Sequence, residues 1–83
     1  MSQRSKLIES IRNNPKDVRY EDACKAAEML GFTHIGGSGS HRVYSKPGQQ
    51  MSLNFQNRNG KIKPYQAKQL LDMIDEYWEQ AND

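Results

Sequence analysis

From Gln50 to Gln56 the chain alternates without a break, with Met51, Leu53 and Phe55 set against Ser52, Asn54 and Gln56. Successive strand residues point to opposite faces, so this pattern requires a sheet with one dry face and one wet face. Such a strand cannot stand alone: it needs neighbours in the sheet and amphipathic helices over its dry side. Two neighbours lie just upstream. Phe32-Thr33-His34-Ile35 is short, aromatic and β-branched, and Ser40 to Lys46 follows after the break Gly36 to Gly39. Pro47-Gly48 then turns the chain into the alternating segment.

The helices to cover this sheet are also legible. Leu7, Ile8 and Ile11 recur at helical spacing until Asn13-Asn14-Pro15 stops the run. Tyr20, Ala23, Cys24, Ala27 and Leu30 form a second stripe, and Gly31 stands where a C-cap glycine belongs. After the loop Asn57-Arg58-Asn59-Gly60, Pro64 opens a third helix with its stripe at Ala67, Leu70, Leu71, Ile74 and Trp78. Cys24 and Trp78 lie on these stripes and read as core residues. The expected fold class is α+β: a three-stranded antiparallel sheet packed on helices, in the α-β-β-β-α order of the double-stranded-RNA-binding domain, with an extra N-terminal helix. An 83-residue chain that is 35% apolar supports one thin core. A single domain over 1–83 is expected, with 1–14 as a peripheral helix and 18–79 as the core.

The charges are unevenly placed. Between Glu28 and Asp72 no acidic residue occurs, while Arg42, Lys46, Arg58, Lys61, Lys63 and Lys68 all fall in that window. Asp72, Asp75, Glu76, Glu79 and Asp83 then follow with no base among them. A cationic centre and an acidic tail suit a partner with a phosphate backbone; an ordinary solvated basic face is the plainer reading. The tail either keeps RNA from one end of the molecule or is a solvated helix face, and its last turn is expected to fray because carboxylates oppose the helix dipole there. One cysteine allows no internal disulfide, no apolar run reaches the roughly 18 residues of a membrane span, and the basic N-terminus precedes no signal-peptide core. A cytoplasmic protein without membrane contact is expected. His34, His41, Cys24 and the carboxylates show no metal-ligand spacing, so no metal or cofactor is expected.

The glycine-serine turn delivers His41 to the start of the second strand. Histidine can take up and return a proton near neutral pH, and the adjacent Arg42 and Lys46 favour an anionic substrate. His34, inside the first strand with no motif around it, reads as structural or incidental.

Leu30-Gly31-Phe32, Gly39-Ser40-His41 with Val43-Tyr44 behind it, the strand Met51 to Phe55, and Lys61-Ile62-Lys63-Pro64 occur in an order that resembles the HicA family of toxins from toxin-antitoxin pairs. The resemblance runs from about Tyr20 to Ile74 and leaves the first helix outside. It implies a small endoribonuclease that cuts mRNA, arrests translation, and is silenced by a HicB-family antitoxin, with DNA reached only through that complex. His41 matches the family's catalytic histidine. Many members carry a second histidine directly after it, where this chain has Arg42.

The chemistry can be argued without the family. RNA carries its own nucleophile, the 2′-hydroxyl, so a base and a few cations suffice for cleavage. His41 is the candidate base. Arg42, Lys46, Lys61 and Lys63 are candidates for holding the phosphate, and the backbone amides of Gly39 and Ser40 can add donors. No general acid is evident, which predicts a slow enzyme. Two other classes compete: an RNA-binding module without catalysis, and an adaptor whose basic face meets an acidic protein.

Overall fold

The computed structural model describes residues 3–78. Helix α1 spans Gln3–Asn13 and α2 spans Tyr20–Met29; strands β1 (Thr33–Gly36), β2 (His41–Lys46) and β3 (Gln49–Gln56) follow; α3 covers Pro64–Met73 and runs on as a π turn over Ile74–Trp78. The strands form one antiparallel sheet in the order β1-β2-β3. This is the expected α+β class with the expected α-β-β-β-α order. Strand boundaries differ from the sequence reading by a single residue.

The alternation in β3 sorts the two faces. Leu53 and Phe55 are fully buried, and Tyr44, opposite Leu53 in β2, is buried with them. Ser52, Asn54 and Gln56 stay partly open on the other side. Both α2 and α3 pack on β3. The covered face therefore carries Tyr44, Leu53 and Phe55 beneath the helices, and the open face has no described helix over it.

The N-terminal helix is not peripheral, which corrects the expectation. It packs on α2 and α3 and sends Ile8 and Ile11 into the same core cluster as Phe55 and Leu70. The physical reason is volume. The buried side of α2 is built from Ala23, Cys24, Ala26 and Ala27, all small, so larger side chains from a neighbouring helix fill the interior. Each buried isoleucine contributes about 1.5–3 kcal/mol.

Gly31 ends α2 as expected. Its φ of 95° turns the chain back, and the Phe32 N–H donates to the Ala27 carbonyl at 3.0 Å. Phe32 is thereby turned into the core, and the strand starts one residue later. Cys24 and Trp78 are buried in the core cluster, as their stripes required. No described helix is long and apolar enough to cross a membrane. Glu79 and Asp83, and with them the expected fraying of the last turn, lie outside the described residues.

Candidate active site

His41 is held by its backbone and left open at its ring. Its N–H donates to the Ser38 carbonyl at 3.1 Å, and the Asn57 N–H donates to the Ser40 carbonyl at 2.7 Å. Gly39 takes φ 61° to make the turn. Gly37, at φ 103°, lies flat against the next strand: a β-carbon there would overlap the His41 carbonyl oxygen and come within 2.9 Å of Arg42 Cα. Only glycine permits that approach. The His41 side chain is exposed, opposite Gln56 in register, and among the described residues no side chain hydrogen-bonds to its ring.

The same end of the sheet receives Lys61 and Lys63. Asn59 and Gly60, with φ of 55° and 86°, form the centre of a tight turn whose ends Arg58 and Lys61 exchange two backbone hydrogen bonds of 2.8 and 3.1 Å. The Asn57 side chain accepts from the Gly60 N–H at 2.7 Å. Behind this turn sits Gln66, the one buried polar residue in the described core. Its Oε1 accepts from the N–H of Gln56 at 3.2 Å and of Lys63 at 3.1 Å. One amide thus fastens the end of β3 to the start of α3, a task lysine at the N-cap position cannot perform because it has no acceptor. Lys61 is ion-paired with Asp17, and both side chains remain about half exposed.

Two expected partners of His41 are placed elsewhere. Arg42 is the next residue, but adjacent strand residues face opposite ways. It lies opposite Phe55 on the covered side, and its Nη1 donates to the Tyr44 hydroxyl at 3.3 Å. That hydroxyl donates in turn to Glu28 at 3.4 Å. Burial, then the Cys24 thiol, pushes the Tyr44 pKa up to about 12, with Arg42 pulling the other way. The bond to Tyr44 raises the pKa of Arg42. Lys46 ends β2, five residues on from His41 or roughly 16 Å at about 3.3 Å per residue. Its Nζ lies 4.8 Å from the centre of the Tyr77 ring. The structure therefore brings the backbone of Gly39, Ser40, His41, Lys61 and Lys63 to one end of the sheet, turns the Arg42 side chain to the face opposite His41, and sets Lys46 a strand length away. His34 takes a local role: its Nε2 bonds the Gly36 carbonyl at 2.8 Å and its ring lies 5.5 Å from that of Tyr44.

Sequence reasoning passed over Gly37, Asn57 and Gln66. Gly37 was one glycine of a flexible run, Asn57 a loop residue, and Gln66 a polar position off the apolar stripe. The one available signal was the Asn-Gly pair at 59 and 60, which marks a tight turn and so a close return of the chain.

An exposed imidazole stands at the end of the sheet to which the chain returns through Lys61 and Lys63, on a small α+β scaffold. The chain belongs to the HicA toxin family, whose profile, described as the HicA toxin of bacterial toxin-antitoxin systems, matches residues 20–81. No curated protein and no solved structure matches it. Membership makes it the toxin half of a toxin-antitoxin pair, in a family of mRNA-cleaving toxins that work against RNA and answer to a cognate antitoxin.

Proposed function

We propose that the protein is a cytoplasmic, metal-independent endoribonuclease in which His41 is the general base. The observation that carries this reading is the exposed His41 ring at a backbone-fixed position, with Lys61 and Lys63 brought to the same sheet end. A neutral His41 takes the proton of the 2′-hydroxyl as that oxygen attacks the adjacent phosphorus. The bond from phosphorus to the 5′-oxygen breaks, and water supplies the proton to the leaving oxygen. The products are a 2′,3′-cyclic phosphate and a 5′-hydroxyl.

Charge building on the phosphate in the transition state is met by Lys63, by Lys61 to the extent that Asp17 releases it, and by the N–H groups of Gly39 and Ser40. Arg42 serves RNA on the covered side of the rim rather than at the reacting phosphate, and Lys46 has no part in the reaction. A HicB-family antitoxin silences the enzyme by covering His41 and presenting carboxylates to the lysines. DNA is met only through that complex.

The test is incubation of the protein and His41→Ala with a long single-stranded transcript in EDTA, followed by analysis of the product termini. Wild type is expected to leave cyclic phosphate ends, and His41→Ala to cut slower by about 10²- to 10⁴-fold, the usual contribution of a positioned base. Equal cleavage by both proteins, or RNA binding with no cleavage by either, sinks the mechanism and leaves an RNA-binding module.

A further inference from the structure

Two clefts, of about 360 and 290 Å³, open at the His41 end of the sheet and share Tyr20, Glu21 and Asn57 in their walls. Shared walls make them one trench. Asn57, whose N–H holds the Ser40 carbonyl, forms part of it, so the trench begins one residue from His41. Arg42 and Lys25 line one arm, Arg19 and Lys61 the other. Each arm has the volume of a small-ligand pocket at the lower end of the usual range, about 300–1,000 Å³.

Two features of the trench point to a nucleotide. Tyr20 supplies a half-buried aromatic ring shared by both arms, on a backbone held by the bond from its N–H to the Gly60 carbonyl at 2.8 Å. Arg42 supplies a cation held in place by the chain from its Nη1 through Tyr44 to Glu28. An aromatic platform beside a preorganised cation suits a base and its phosphate. The acidic wall residues Glu21 and Glu28 add acceptors for amino groups of a base.

We propose that this trench is a nucleotide subsite, taking the RNA residue that flanks the cut, with its base stacked on Tyr20 and its phosphate on Arg42. The strand then bends round the rim, with His41 at the corner between the open and covered faces. This deepens the endoribonuclease reading and rests on it for the identity of the reaction.

The experiment uses the full chain carrying His41→Ala, titrated into a fluorescein-labelled eight-nucleotide single-stranded RNA and followed by anisotropy. Adding Tyr20→Ala is expected to weaken binding about tenfold, while Tyr20→Phe keeps affinity within about twofold because the ring is what stacks. Arg42→Gln is expected to weaken binding and to flatten its salt dependence by about 0.7 in log-log slope, the share of one phosphate contact on a single strand. Because Tyr20 also packs against the core, amide shifts of the parent protein on RNA addition provide a measurement without a variant. They should centre on Tyr20, Arg42 and Asn57. Shifts confined to Val43 and Asn54 on the open face, or unchanged affinity in both Tyr20→Ala and Arg42→Gln, overturn the subsite. Wild type that cuts nothing while these losses appear removes the nuclease reading and leaves the subsite. Wild type that cuts with the same KM as Tyr20→Ala removes the subsite and leaves the nuclease.

Discussion

The two ends of the sheet are built in opposite ways. At the hairpin end, side chains do the tying: Gln49 Nε2 donates to the Tyr77 hydroxyl at 2.9 Å and to Glu76 at 3.2 Å, Lys46 caps the Tyr77 ring, and Phe32 meets that ring edge-on at 6.1 Å. At the His41 end the chain is held largely by backbone hydrogen bonds, from the N–H of His41 to Ser38, of Asn57 to Ser40 and of Tyr20 to Gly60, and by the pair exchanged between Arg58 and Lys61. Functional groups spent on holding a fold are not free for substrate. The hairpin end has committed Gln49 and Lys46, whereas the rim around His41 obtains its order from backbone amides, glycines and the Gln66 and Asn57 side chains and leaves an imidazole and a lysine unspent.

The most damaging test of this contrast is Gly37→Ala. A β-carbon there meets the His41 carbonyl and Arg42 Cα, both backbone, so the strand must shift, and the positive φ adds strain. Displacing a reacting group by about 1 Å can lower the rate by about 10²-fold. Gly37→Ala is therefore expected to lose cleavage on that order while retaining most of its RNA affinity. Full activity in this variant, measured on the same transcript as His41→Ala, would show that backbone placement of His41 is not what the rim provides.

A smaller effect separates the ends by charge. Lys63→Ala is expected to weaken RNA binding and to reduce the salt slope by about 0.7, one phosphate contact's worth. Lys46→Ala should leave both unchanged and instead lower stability by about 0.5–1 kcal/mol, the worth of an exposed cation–π contact. Salt-dependent binding read beside denaturant unfolding checks both lysines in one series. If Lys46→Ala flattened the slope as much as Lys63→Ala, RNA would have to run the whole length of the sheet, and the contrast between the ends would collapse.

The faces of the sheet were more legible in the sequence than the positions of its cations. Period-2 alternation identified the dry face because burial acts on every residue of β3, so Leu53 and Phe55 announced themselves. The turn at Gly31 and the helix start at Pro64 were equally local and equally readable. A run of positive residues carries no such periodic signal. Arg42 and Lys46 share a strand with His41, and proximity in sequence suggested a shared site, yet pleating turns Arg42 to the other face and strand rise carries Lys46 to the other end. Gln66 was hidden for a further reason: a polar residue beside an apolar stripe normally faces water, and only the meeting of β3 with α3 gives its Oε1 two donors to accept. The packing of Ile8 and Ile11 likewise depends on how little volume α2 supplies, a quantity no single helix reveals.

Between the two ends lies Tyr44, buried in β2 and bonded to Glu28 and Arg42, and its titration gives an effect confined to alkaline pH. Its folded pKa is pushed up to about 12, chiefly by burial, against 10.0 for a free phenol. Below pH 10 the hydroxyl keeps its proton in both folded and unfolded chains, so its contribution to stability is fully present. Above that point the unfolded chain sheds the proton first and binds fewer protons than the folded one. Stability must then fall as pH rises towards 12, by at most about 1.4 kcal/mol per pH unit from this group. Other side chains titrate in the same window, so the measurement is a difference: denaturant unfolding of wild type and Tyr44→Phe between pH 8 and pH 11. Tyr44→Phe should start less stable, having lost the bond to Glu28, and decline more gently. Parallel decline in the two proteins would mean that the phenol reaches solvent when folded, and that the link from Arg42 to Glu28 is too loose to hold a cation ready in the trench.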